Sequence, residues 1–163
     1  MDSDRIADRI ALQELKARYF RYLDTKQWGE WRKLFTDGLV FFMEDSALPA
    51  TTEPVSVGAD EFVQSVSALL TGSVTVHQGH MPEIEFVDAS HARGVWAMFD
   101  WVDNPGTGLA IQGFGHYHER YEKGDDGHWR IAELRLTRLR VDQLEPTHPA
   151  GARPTPPAWT RPA

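Results

Sequence analysis

From Asp4 to Leu23 the apolar residues Ile6, Ile10, Ala17 and Phe20 recur at helical spacing, widened by Leu12, Leu15, Tyr19 and Leu23. Ser3 stands where an N-cap would, and Asp4 suits the positive end of a helix dipole. A second, short helix is expected over about Gln27–Phe35, carrying Trp28, Trp31, Leu34 and Phe35, with Asp37-Gly38 as its stop. Leu39–Met43 is short and apolar and reads as a strand. Residues 44–57 hold two prolines among Thr and Ser and read as a loop. A third helix spans about Ala59–Leu70, with Phe62, Val63, Val66, Leu69 and Leu70 on one stripe and Gly72 beyond its end.

After Gly72 the pattern changes to strands. Four long segments are expected: Ser73–Val87, bulged near Gly79, then Ala92–Val102, Leu109–Tyr121 and Trp129–Val141. Pro105-Gly106-Thr107-Gly108 and Gly124-Asp125-Asp126-Gly127 are turns, so these strands pair antiparallel. The order predicts an α+β domain, residues 1–144, in which three N-terminal helices cover a curved sheet. Residues 145–163 contain six prolines and form a separate tail, mobile or draped over the surface.

Composition narrows the function classes. A formal charge of −7 argues against nucleic acid and anionic membrane as partners. The absence of cysteine removes disulfides, thiolate nucleophiles and zinc–thiolate sites. The acidic start shows no signal peptide, and no apolar run approaches the ~20 residues of a membrane helix. The expected location is cytoplasmic.

Several ionisable residues sit where a core is expected. Asp24 continues the first helix's apolar stripe at the end its dipole disfavours. It either forms a capping box with Gln27 or orients a histidine. His77 follows Val74-Thr75-Val76 in mid-strand, and neutral imidazole is a natural general base near pH 7. Alternation puts Trp96, Met98 and Asp100 on one face and Val95, Phe99 and Trp101 on the other. Asp100, if buried, needs a partner. Arg138 and Arg140, read as sharing a face with Leu134 and Leu136, could be that partner or bind a substrate oxyanion. The outward aromatic row predicts a homodimer or larger homo-oligomer. His116-Tyr117-His118 with Glu122, joined by His77 and His80, has half of a cupin-like metal pattern, but no second half follows in strand context and no metal is expected.

The element order, the run Tyr19-Phe20-Arg21-Tyr22-Leu23-Asp24-Thr25-Lys26-Gln27-Trp28 and the ending Gly127-His128-Trp129-Arg130-Ile131 resemble the SnoaL-like branch of the nuclear transport factor two-like superfamily. The resemblance covers about residues 5–142 and implies a cone-shaped, mixed or antiparallel α+β barrel. In pattern the chain is most similar to scytalone dehydratase, bile acid 7α-dehydratase and hexachlorocyclohexane dehydrochlorinase. By that resemblance Asp24 and His77 match a catalytic dyad, Tyr19 an oxygen-binding tyrosine, Asp100 a second acid, and Arg140 or Arg138 an arginine. His116 or His118 is the candidate for a second histidine. The pattern departs at the first strand, where a second pocket tyrosine is missing.

The function so implied is a cofactor-independent, dehydratase-like lyase or isomerase. His77 would take a proton from a small, largely apolar carbonyl or hydroxy compound, with Asp100, His116 or Arg140 serving the leaving group. Phe20, Trp28, Phe62, Val66, Trp96, Met98 and Phe114 are the expected apolar walls. The alternatives are a non-catalytic small-molecule binder and a structural subunit resembling the small subunit of ring-hydroxylating dioxygenases.

Overall fold

The computed structural model describes residues 3–44, 53–104 and 106–145. The Ser3 side chain, most of the 44–57 loop, Pro105 and the tail from residue 146 lie outside the described residues. The elements run α1 (Ser3–Asp24), α2 (Trp28–Arg32), β1 (Phe35–Glu44), β2 (Ser56–Val57), α3 (Ala59–Leu70), β3 (Val74–Phe86), β4 (His91–Asn104), β5 (Leu109–Lys123) and β6 (Trp129–Gln143).

The six strands form one sheet in the order β2-β1-β6-β5-β4-β3. Tight connections make β3, β4, β5 and β6 successive antiparallel neighbours, as the turn residues predict. β1 arrives from the helical layer and joins β6 in parallel, so the sheet is mixed. The helices cover one face: α1 lies against β3 and β6, α3 against β1, and α2 touches both helices. No helix among the described residues is long and apolar enough to cross a membrane.

The face of α1 that turns inward differs from the one its apolar spacing predicts. Leu12, Leu15, Tyr19 and Leu23 are buried together with Lys16, whereas Ile6 and Ile10 are about half exposed and Ala17 faces solvent. α2 is shorter than expected because Phe35 already belongs to β1. Asp37 and Gly38 lie in β1, at an irregularity between Phe35 and Val40, rather than stopping a helix. Trp31, fully buried, joins the layers: its ring centroid lies 5.3 Å from that of Tyr19 on α1, 5.1 Å from Phe35 on β1 and 5.2 Å from Phe62 on α3. Such ring pairs contribute about 0.5–1.5 kcal/mol each beyond burial.

Of the irregularities further along, two decide what faces inward near Asp24 and Asp100. The bulge in β3 falls between His80 and Glu83, with Met81 at positive φ, and not at Gly79. In β6 the pairing shifts between Phe114–Arg140 and Gly115–Arg138, leaving Leu139 as an extra residue. An extra residue reverses which side chains point inward. A Cβ on Gly115 would lie 1.9 Å from the Thr137 carbonyl oxygen, so the close strand approach at this shift requires glycine.

Candidate active site

The dyad is built where α1 stops. Lys26 N–H donates to the Leu23 carbonyl (3.2 Å) and Gln27 N–H to the Tyr22 carbonyl (2.8 Å), the bond pattern of a Schellman ending with Lys26 in the left-handed region (φ 58°). This leaves the Asp24 carboxylate at the negative end of the dipole, where it needs donors. β3 supplies them. The His77 backbone N–H donates to Oδ2 (2.9 Å), Thr75 Oγ1 donates to Oδ1 (2.9 Å), and His77 Nδ1 lies 2.6 Å from Oδ1. An ionised carboxylate only accepts, so Nδ1 carries a proton, and in the neutral ring Nε2 then holds the lone pair. Nε2 has no hydrogen-bond partner among the described residues. The His77 side chain is 7% exposed and that of Asp24 22%.

The capping-box reading of Asp24 is thereby overturned. Gln27 caps α2 without a side-chain bond, and its amide donates to Thr25 Oγ1 instead (2.7 Å).

Asp100 is the direct cross-strand partner of His77 on β4, and Gly113 is the partner of Asp100 on β5. Arg138, paired with Gly115 on β6, reaches back over Gly113 to form a fork with Asp100: Nη1 to Oδ1 and Nη2 to Oδ2, both 2.7 Å. The two side chains are 3% and 11% exposed. A Cβ on Gly113 would sit 1.9 Å from Arg138 Nη1 and 2.3 Å from Asp100 Oδ1, so glycine there lets the pair cross β5. His77 and the ion pair thus share one row on the inner face.

Three expected site residues do not belong to it. His116 pairs with Ala97 and lies on the outer face with His118, because Gly113, Gly115, Tyr117, Glu119 and Tyr121 take the inner positions of β5. Phe114 is on the same outer face, its ring 5.4 Å from that of Phe99. Arg140 is turned outward by the shift at Leu139, is mostly exposed, and pairs with Asp142 (2.7 Å). Neither histidine, then, faces the dyad, and Arg138 alone of the two arginines does.

The remaining expected residues are inside or at the helical edge. Met98 and Trp96 are buried below Asp100 on β4, and Phe62 is buried among Trp31, Phe35 and Phe41. Phe20, Trp28 and Val66 are partly buried against the core. Phe20 lies over Gly79, where a Cβ would come within 2.7 Å of the ring.

Tyr19 is buried against Phe20 and Tyr117 (centroids 5.5 and 5.9 Å). Its phenol is held well above its ordinary pKa by burial, then by the nearby Tyr117, Glu119, Asp100 and Asp24. Tyr117 is raised likewise by burial and Asp100, opposed by Arg138. Both phenols are therefore neutral and able to donate a hydrogen bond, and both feel the charges of Asp24 and Asp100. Neither hydroxyl has a partner among the described residues.

Beneath them lies a buried polar chain. Lys16 donates to one oxygen of Glu119, Tyr121 donates to the other, and Trp96 Nε1 donates to the Tyr121 oxygen (2.7 Å). The Lys16 ammonium sits 3.6 Å from the Tyr117 ring centroid and 4.1 Å from that of Tyr19. Burial pushes its pKa down to about 8, against the pull of Glu119. A groove of about 850 Å³ opens elsewhere, lined by Arg9, Glu83, Arg93, His118, Glu119 and Arg135, and includes neither dyad residue.

Lys16, Thr75, Lys26, Tyr117, Glu119 and Tyr121 were not singled out from the sequence. Lys16 left a signal there: it stands four residues after Leu12 and three before Tyr19, on a helical stripe where a charge needs a partner. The Gly113–Gly115 alternation left another, marking the face of β5 that something crosses closely.

An unclosed, curved, mixed sheet covered on one face by helices is the α+β architecture of the nuclear transport factor two-like superfamily. Within it, the chain belongs to the SnoaL-like domain family, whose model matches residues 4–135. Asp24, His77 and Asp100 fall inside that span and Arg138 just beyond it. Among solved structures, a hexachlorocyclohexane dehydrochlorinase, LinA type 2, is similar at 22% identity with a TM-score of 0.74, covering 98% of this chain and 100% of that one. A candidate scytalone dehydratase from Novosphingobium aromaticivorans DSM 12444 is similar at 18% identity (TM-score 0.75; 98% and 100% covered). LinA type 3 from Novosphingobium barchaimii LL02 is similar at 24% identity (TM-score 0.67; 96% and 100% covered). At these identities the likeness is one of fold.

Proposed function

We propose that the chain is a cofactor-independent lyase or isomerase acting on a small, largely apolar carbonyl or hydroxy compound. The observation that carries this is the Asp24–His77 contact of 2.6 Å, with Asp24 satisfied by three donors and His77 Nε2 without a partner among the described residues. In the reaction, Nε2 takes a proton from a carbon acidified by its neighbour. The C–H electron pair becomes the new double bond, and the leaving group departs with its own bonding pair. The dyad, an imidazole beside a carboxylate with one negative charge at rest, becomes an imidazolium beside a carboxylate and so neutral overall. Tyr19 or Tyr117 donates to the oxygen on which charge grows, and the Arg138 face of the fork receives the leaving anion. In an isomerisation the same imidazolium returns the proton to another carbon. A positioned base contributes about 10²–10⁴-fold to such a step.

The dehydrochlorinase and dehydratase names of two similar folds favour an elimination, and they guide the choice of substrates. The test is a panel of β-hydroxy ketones, polychlorinated cyclohexanes and unconjugated enones. It is read by product formation and by exchange of the acidic carbon-bound hydrogen in D₂O. Turnover in the wild type, falling at least a hundredfold in His77→Ala and Asp24→Asn, is expected. Intact turnover in both variants refutes the mechanism. Ligand-induced thermal stabilisation without exchange would instead make the chain a binder.

A further inference from the structure

We infer that Lys26 is a positioning residue for the dyad, acting through Thr75 to hold His77 in the tautomer that leaves Nε2 free as a base. The inference rests on the proposed role of the dyad, but its geometry stands alone. Lys26 occupies the left-handed position of the helix ending, at φ 58°, which glycine adopts freely and L side chains adopt at a cost. Fold alone therefore favours glycine, and the lysine side chain must serve something else. Its Nζ reaches 49 residues along the chain to donate to Thr75 Oγ1 at 2.6 Å. Thr75 is 4% exposed, and its hydroxyl lies 2.9 Å from Asp24 Oδ1.

The direction of this relay is dictated by charge. An ammonium has donors and no acceptor, so Thr75 must accept from Lys26 and turn its own proton to Asp24. Asp24 Oδ1 then receives Thr75 and His77 Nδ1–H together, while Oδ2 is held by the His77 backbone. With the carboxylate fixed at both oxygens, the imidazole is held with its proton on Nδ1. Without the ammonium, Thr75 is free to turn away from Asp24, the carboxylate loses one of its three anchors, and the two tautomers of His77 draw closer in energy. The Trp28 ring, 5.9 Å from Nζ, shelters the lysine on its other side. Burial lowers its pKa to about 8, opposed by Asp24, so it is largely an ammonium at and below neutral pH.

The test reads the resting protein, so it needs no substrate. In protein labelled with ¹⁵N-histidine, the wild type is expected to show widely separated Nδ1 and Nε2 shifts for His77 and a downfield Nδ1–H proton. Lys26→Gly is expected to keep or raise the melting temperature, since glycine relieves the backbone. It should nevertheless draw the two nitrogen shifts together and weaken the downfield proton. Thr75→Val, which breaks the relay and keeps the ammonium, should do the same, and Lys26→Arg should restore the wild-type spectrum in part. Unchanged His77 shifts in Lys26→Gly overturn the inference. So does a lowered melting temperature with an unchanged imidazole spectrum, which would make Lys26 a purely structural contact. Failure of the elimination chemistry would appear in the His77→Ala and Asp24→Asn assays and leaves this outcome separately readable.

Discussion

Replacing Gly113 by alanine puts a methyl group where the Asp100–Arg138 fork now lies. The new Cβ would be 1.9 Å from Arg138 Nη1 and 2.3 Å from Asp100 Oδ1. Ordinary contact is about 3.5 Å, so these atoms must retreat by roughly 1.5 and 1 Å. Asp100 is short, only 3% exposed at its side chain and fixed in a central strand, so Arg138 is the group that yields. The fork then opens and a buried carboxylate loses its bidentate partner. Removing one member of a buried pair costs about 3–5 kcal/mol. Because Arg138 remains and can return in part, a loss of about 2–4 kcal/mol is expected. Urea denaturation of four proteins tests it: wild type, Gly113→Ala, Asp100→Asn/Arg138→Met, and the triple variant. In the fork-less background the same alanine should cost less than about 1 kcal/mol, because alanine is otherwise the better strand residue. An equal loss in both backgrounds would refute the argument and place the clash on the backbone.

Lys16→Met leaves Glu119 buried without its cation and is expected to cost about 3–5 kcal/mol in urea denaturation, while Lys16→Met/Glu119→Leu should recover most of that loss. Lys16 and Lys26 have folded pKa values lowered to about 8 from 10.5, so above pH 8 the unfolded chain binds more protons than the folded one, and stability should rise between about pH 8 and 10. Tyr19, Tyr117 and Tyr121 are raised above 10, which reverses the sign, so the urea midpoint should turn over above about pH 10; a midpoint falling steadily from about pH 8 would contradict the lysine shifts, and one still rising beyond about pH 11 the tyrosine shifts. The outer row of Phe99, Trp101 and Phe114 is proposed to meet a second copy of the chain: sedimentation should give a dimer or larger, Phe114→Glu should dissociate it, and a monomeric wild type would rule the interface out.

The fold was readable because each long strand is bounded by its own turn residues and each helix by a change of period. Ala59–Leu70 was legible to the residue, since Gly58 and Gly72 flank a clean apolar stripe. The beginning of β1 was not. Leu34 and Phe35 continue the tryptophan spacing of α2, so periodicity alone carries the helix too far, and only the pairing of Phe35 with Ile131 on β6 settles it. The parallel pairing of β1 with β6 is likewise a tertiary fact: no local residue pattern encodes it.

The site was legible where one element alone fixes a side chain's direction, and illegible where direction depends on a neighbour. Asp24 is set by a helix end, His77 by the regular stretch of β3 before its bulge, and Asp100 by the alternation of β4. Arg138 and Arg140 are two residues apart and read as equivalent, yet one extra residue, Leu139, sends one to the core and the other to water. On β5 the ambiguity has a different origin. Alternation identifies an inner face by its apolarity, but here the inner face carries Glu119 and two tyrosines while the outer face carries Phe114. A polar inner face obscures its own strand phase, so the chemistry that makes this sheet a candidate active site also hides which histidine belongs to it. Lys16 shows the same effect in α1. The charge that anchors Glu119 interrupts the stripe, and Ile6 and Ile10 then mark the wrong face. The errors on β5 and on α1 therefore meet at one buried network, Lys16–Glu119–Tyr121–Trp96, that lies directly beneath Tyr19 and Tyr117. A core built only for stability would fill that volume more cheaply with apolar side chains. Its retention of a satisfied charge pair under two phenols that have no partner among the described residues is an independent argument for the proposal that this end of the sheet is arranged for a ligand.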